Sequence, residues 1–349
     1  MHSQLPRHLW SLVKPRIVAL LCVTGVFAVY AAGGASLGTV ASFLAAGALV
    51  AAASAAYNCW YDRELDRHMD RTADRPLPSG DLDHRVAFAF ATVLLAAGTA
   101  VGLATLPVET VAYMLAGAAS YVLVYTVGLK RRHWLGVVLG GSAGSFPVLA
   151  GWTAVRPLAP EALVLAAVVF VWTPAHAWAL AVVYREDFTA ADVPTLPVVA
   201  SAKRVRRAVW YSAVGTLVVA ATAVPFAPAP YATVLAVGGA LFLAGFRQFH
   251  REGTDTAAVR AFFTSNTFLA LLFVAWGVGG ATGGVGPAGR VAAAVLTAGT
   301  FGWLWTRRPA LDGVTSAPAV EADWVAARLG RAAEYVRDNA HPPSPSNSD

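Results

Sequence analysis

The chain has 349 residues, 57% of them hydrophobic and 13% charged, with a formal net charge of +6. A soluble domain carries roughly 25% charged residues, so most of this chain belongs in lipid. The positive balance does not point to nucleic acid, because the basic residues lie between apolar stretches and do not cover one soluble face.

In chain order, ten stretches approach the roughly 20 apolar residues that a membrane-spanning helix needs. They run 17–35, 38–58, 86–105, 109–129, 135–155, 161–183, 208–226, 231–246, 261–281 and 287–306. Lys14-Pro15-Arg16 is a basic flank to the first. No small-residue cleavage pattern follows it, so the start reads as a membrane helix and not as a removable signal. The expected fold is all-α, a polytopic membrane helix bundle. The tail from Ala319 to Asp338 has helical character suited to a membrane surface, and His341 to Asp349 reads as disordered.

The basic residues test this division. Of the 26 Lys and Arg, 24 fall in loops on one side, and only Arg156 and Arg290 on the other. The positive-inside rule then places both termini in the cytoplasm with an even number of spans. The cytoplasmic loops are also the long ones, so charged chemistry is expected on that face. Cys22 and Cys59 have neither metal-site spacing nor a disulfide framework.

Four polar constellations interrupt the apolar pattern. The first is Asn58, Asp62 and Asp66, four apart and therefore stacked on one helix face where the second span meets water. Oxygen donors in such a row suit a divalent cation. Arg71 and Arg75 follow, also four apart, with the planar forks that bind phosphate. The alternative is a solvated helix end with ordinary ion pairs.

The second constellation follows the sixth span. Asp187 is its expected ligand, with Glu186 and Asp192 as further acids, and simple solvation is the alternative. The third is Lys130-Arg131-Arg132, which can anchor topology, neutralise a diphosphate, or do both. The fourth is His176, inside the sixth span just after Pro174. An intramembrane histidine either bonds between helices or serves function, haem-iron ligation being one specific form.

These residues resemble the UbiA-type intramembrane prenyltransferases, and within them the branch that farnesylates protohaem. The wider pattern Asn-x-x-x-Asp-x-x-x-Asp is met by Asn58, Asp62 and Asp66. The narrower one, Met-x-Arg-Thr-x-x-Arg-Pro-Leu, is met by Met69, Arg71, Thr72, Arg75, Pro76 and Leu77. Further matches are Leu12 to Ile17, Tyr125-Thr126 with Leu129 to Arg132, Gly140 to Gly144 with Phe146-Pro147 and Gly151-Trp152, Trp172 to Leu180, and Asp187 to Pro197. The chain departs from the branch at Ala175 and Ala177, where proline and phenylalanine are usual. It departs again at Asp192, where glycine is usual.

The resemblance implies nine core transmembrane helices of UbiA type within residues 1–285, an extra tenth at 286–308 and a cytoplasmic tail at 309–349. It implies farnesyl diphosphate and haem B as substrates, at the plasma membrane. Mg²⁺ would be held by Asn58, Asp62, Asp66 and Asp187, and diphosphate by Arg71, Arg75, Lys130 and Arg131. His176 is the haem-binding candidate. Aromatic faces at Trp60, Tyr61 or Phe146 would stabilise an allylic cation. The product would pass towards haem A synthase or terminal-oxidase assembly. Two other readings stay open: a UbiA-type enzyme with a quinone-precursor, chlorin or lipid acceptor, and an ion-coupled transporter. The transporter reading requires acids near the bilayer midplane and broken helices.

Overall fold

The structure is a computed structural model that describes residues 4–281. The expected tenth span, the tail helix and the terminal residues lie outside the described residues.

Every regular element among the described residues is helical. Helix α1 (Leu5–Leu12) bends by 46° into α2 (Pro15–Ala31). The break has a local cause. Pro15 disfavours the right-handed helical region for the residue before it, and Lys14 adopts a left-handed conformation with φ 48°. Leu12 on α1 is buried against Ala56, Cys59 and Leu77, while Trp10 is 65% exposed.

Helix α3 (Leu37–Asp66) is capped by Ser36, whose hydroxyl accepts from the Thr39 amide at 3.1 Å. Thirty residues of α-helix extend about 45 Å, against roughly 30 Å of hydrocarbon. The helix therefore outruns the membrane core by several turns, and those turns carry Asn58, Asp62 and Asp66. The apolar pattern marks the span as ending at residue 58. The helix runs on because nothing after Asn58 breaks it before the turns that begin at Arg67.

Helix α4 (His84–Thr105) packs along α3, with Gly98 so close to Val50 that a methyl group there would sit 3.0 Å from the Val50 amide nitrogen. Helix α5 (Val108–Ala119) continues as a π-helix, Ser120–Leu129. The expected fifth span is two pieces, α6 (Gly136–Gly140) and α7 (Ser142–Thr153), separated at Gly141. Helix α8 (Pro160–Val183) is followed by short helices α9 (Arg185–Ala190) and α10 (Leu196–Val199). Three longer helices complete the described chain: α11 (Ala202–Ala221), α12 (Ala229–Glu252) and α13 (Asp255–Ala281). Helix α13 packs back on α2 and α8, and α2 and α8 each pack on α7.

Six of these helices are long and apolar enough to cross a membrane, or seven if α1 and α2 form one bent span. The count among the described residues is lower than the nine spans expected there, for two physical reasons. Residues 135–155 are interrupted by a glycine pair, leaving α7 with 12 residues. Helix α11 begins with Lys203, Arg204, Arg206 and Arg207, so its first turns are charged. The protein is a multi-pass membrane helix bundle.

Candidate active site

Asn58, Asp62 and Asp66 do line one face of α3, and all three are buried. Asp62 is 1% exposed, so its charge must be met inside the protein. Lys130 Nζ donates to Oδ2 at 2.5 Å and Arg131 Nη2 to Oδ1 at 3.2 Å. Asn58 Nδ2 also donates to Oδ2, at 2.8 Å. Two cations and an amide thus hold one carboxylate. Arg131 is fixed further by the Tyr61 carbonyl at 3.1 Å and by stacking 4.8 Å over the Tyr61 ring.

The amide of Asn58 has a defined orientation. Its Oδ1 accepts from Lys14 Nζ at 2.5 Å, and its Nδ2 donates to Asp62 and to Thr126 Oγ1 at 3.0 Å. Thr126 sits in the π-helix, with its own hydroxyl donating to the Tyr121 carbonyl five residues back. The wide π turn sets Thr126 against α3 while Lys130, just past the π-helix, reaches Asp62 (one turn further along the same α3 face). The sequence alone places neither Lys14 nor Thr126 in the site. The signal was present in the motifs around Lys14 and Tyr125-Thr126, but neither residue stands near Asn58 in the chain.

Asp66 ends α3. Arg75 Nη1 lies 3.4 Å from its Oδ2, and Thr72 donates to its carbonyl at 2.8 Å, which folds the following loop back over the helix end. Arg71 lies with its guanidinium 5.0 Å over the Tyr184 ring and its Nε buried without a hydrogen-bond partner. Met69 packs with Ala191 and Val193, and Leu65 and Phe188 join them. These contacts bring the loop after α3 against the segment after α8. Asp187 is buried in the first turn of α9, on the segment that these contacts hold against the loop after α3.

Glu186 and Asp192 are exposed. Asp192 has φ 51°, a left-handed conformation that glycine adopts freely and aspartate tolerates. The conformation accounts for the glycine usual at this position in the resembling branch. Among the described residues, no three His, Cys, Asp or Glu side chains stand together as a ready metal site. Asp62 is turned to Lys130 and Arg131, and Asp66 to Arg75.

Below the mouth lies a cavity of about 330 Å³, walled by α2, α3, α5 with its π continuation, α6, α7 and α8. Its lining is overwhelmingly apolar. Gly47, Val50 and Ser54 of α3 face it, one helix face with Asn58, Asp62 and Asp66, and Lys14 stands at its rim. Of the expected aromatic residues, Phe146 lines this cavity. Trp60 packs on Phe88 of α4 at 5.0 Å, and Tyr61 lies under Arg131. Tyr121 and Trp172 line the cavity, and the residues did not single them out for it.

His176 stacks between Trp172, at 4.1 Å between centroids, and Phe262 of α13, at 4.3 Å. It lies one helical turn from Trp172 towards the mouth.

Residues 18–267 match the UbiA prenyltransferase family. The protoheme IX farnesyltransferase of Rhodococcus jostii is 40% identical over 277 residues, covering 76% of this chain and 90% of that relative. Protoheme IX farnesyltransferase 1 of Saccharopolyspora erythraea is 40% identical over 279 residues, covering 78% and 89%. A UbiA homologue from Archaeoglobus fulgidus, solved bound to DMAPP and Mg²⁺, shares the fold with a TM-score of 0.58 at 20% identity, over 77% of this chain and 98% of that one.

Proposed function

The chain belongs to the UbiA prenyltransferase family, and from that premise we propose that it transfers the farnesyl group of farnesyl diphosphate to a vinyl group of protohaem IX (haem B). Water adds in the same reaction, and the products are haem O and diphosphate. One structural observation carries the transferase reading: a single face of α3 is at once the wall of an apolar cavity and the floor of a charged mouth. An amphiphile with an anionic head and a hydrocarbon tail fits that pair of surfaces. The haem acceptor is supported by the relatives that carry this activity in their names.

In this reading the mouth binds diphosphate. Lys14, Arg71, Arg75, Lys130 and Arg131 outnumber Asp62, Asp66 and Asp187, so the mouth holds an excess of positive charge in a partly dry setting. Arg71 has a guanidinium nitrogen with no hydrogen-bond partner, which suits an incoming anion.

The donor set also fits a hard cation, since Asp62, Asp66 and Asp187 supply carboxylate oxygens. Mg²⁺ commonly takes one or two carboxylates plus substrate phosphates, so a ready cluster of three is not required. Asp62, Asp66 and Asp187 would hold Mg²⁺ with Asn58 beside them. The ion, when bound, supplies positive charge to the diphosphate oxygens.

Lys130 and Arg131 then meet the charge that grows on the leaving diphosphate as the allylic C–O bond breaks and its electron pair departs with oxygen. The cavity keeps water from the allylic cation. Phe146, Tyr121 and Trp172 present ring faces or edges to that space, where an electron-rich ring attracts a cation. The vinyl π electrons form the new C–C bond, water adds to the cation left beside the porphyrin, and one proton is released. No protein nucleophile takes part.

The reading confines the reaction to residues 1–285, in the plasma membrane, with the mouth and both termini on the cytoplasmic side. It leaves haem O for hand-over to haem A synthase or terminal-oxidase assembly. The test is incubation of the purified full chain with haem B, farnesyl diphosphate and Mg²⁺, followed by mass analysis of the pigment. Haem O should form, and a divalent chelator should stop it. Unchanged haem B in the complete mixture would sink the reading, and chelator-insensitive product would remove the cation from it.

A further inference from the structure

We infer that Ser265 is a positioning residue that sets His176 in one tautomer, with Nε2 presenting its lone pair as an axial ligand to the iron of the haem substrate. The inference rests on the haem reading above and names the contact by which that substrate is held.

Ser265 on α13 is fully buried. Its hydroxyl has one proton, and that proton goes to the Phe262 carbonyl at 2.7 Å. The same Oγ lies 2.8 Å from His176 Nδ1. With its proton committed, Oγ can only accept there, so Nδ1 carries the ring proton. A neutral imidazole has one N–H, which leaves Nε2 as a bare acceptor. This is how metal-binding histidines are usually prepared: the far nitrogen donates to a fixed oxygen, which sets both tautomer and ring angle.

The ring is held in other ways too. Trp172 covers one face and Phe262 the other, with interplanar angles of 21° and 27°. Trp172 is itself anchored to the same serine, its indole N–H donating to the Ser265 carbonyl at 3.1 Å. Ser265 thus holds both Trp172 and His176. Yet His176 is not fully buried. With both faces covered and Nδ1 engaged, the edge carrying Nε2 is what remains open. Trp172, one helical turn from His176 on α8, belongs to the cavity wall, so the stack borders the chamber where the prenyl tail and its acceptor must meet.

The test is an absorbance titration of the purified full chain with haem B, run in parallel with iron-free protoporphyrin IX. His176→Ala should abolish the ligated haem spectrum, and added imidazole should restore it. Ser265→Ala should weaken haem binding about 10–100-fold, the usual effect of removing such a partner. Ser265→Thr, which keeps the hydroxyl, should bind as the parent does. Iron-free porphyrin should bind equally to the parent, to Ser265→Ala and to His176→Ala. Equal losses for both porphyrins would overturn the inference, because the stack would then be mere packing. An unaltered haem spectrum in His176→Ala would overturn it as well. Pigment mass from the parent chain separates the two levels: haem O formed without a ligated spectrum defeats only the iron contact, and no haem O defeats the haem reading itself.

Discussion

Asp62 is the residue on which the charged mouth turns. It is the most deeply buried of the acids and collects Lys130, Arg131 and Asn58. Asp62→Asn keeps the size and some hydrogen bonding but removes the charge. We expect turnover to fall on the order of 10²–10³-fold, comparable to losing one preorganised electrostatic contact to a transition state. Helix content should be unchanged by circular dichroism. Activity within tenfold of the parent would remove Asp62 from the chemistry.

Asp192 makes the opposite prediction. It is exposed and left-handed, a conformation costing an L residue roughly 1–2 kcal/mol. Asp192→Gly should leave activity intact and hold or raise Tm in a thermal scan, the gain being partly offset by the freer unfolded chain. A tenfold activity loss would instead make this acid a ligand. Asp62 is legible in the sequence because four-residue spacing on a helix is readable there. The contacts of Lys14 and Thr126 with Asn58 are not, because they span 44 and 68 residues of chain.

At the scale of elements, close helix approach sets how α2 packs on α7. A methyl group at Gly151 on α7 would sit 2.1 Å from the Gly25 carbonyl on α2. Backbone cannot give way as a flexible side chain does, so the two helices would have to separate. Gly151→Ala should destabilise the protein by about 1–3 kcal/mol, the usual cost of overpacking, seen as a lower Tm in detergent. An unchanged Tm would show that α2 and α7 have slack. The spans were legible as apolar runs, but two of their details were not. The π-helix has no distinctive apolar period over ten residues, and its wide turn appears only when Thr126 and Lys130 are found on one α3 face. The break at Gly141 falls in a continuous apolar run, where hydropathy alone sees one span.

Across the whole molecule, the fold puts the α3 end and the α8–α9 segment in one mouth. The proposed orientation, read from the charge bias, puts that mouth on the cytoplasmic side. Two exposed positions test this in intact cells: Asp81, in the loop after α3, and Leu37, at the opposite end of the same helix. With Cys22 replaced, Leu37→Cys should react with a membrane-impermeant thiol reagent added outside. Asp81→Cys should react only after the cells are opened. The reverse pattern would invert the proposed orientation. The transporter reading loses ground on the same geometry, since α3 is unbroken and its acids stand at a helix end among arginines.

Sequence by itself determined the membrane class, most of the apolar helices, and the acidic row with its arginines. Each of these is local, set by hydropathy over about 20 residues or by the 3.6-residue turn. Only the tertiary structure decided which basic side chain meets which carboxylate, which aromatic rings wall the cavity, and how Ser265 orients His176. Those choices depend on groups far apart in the chain and brought together by packing, and spacing along a sequence does not encode the direction a side chain takes across a bundle.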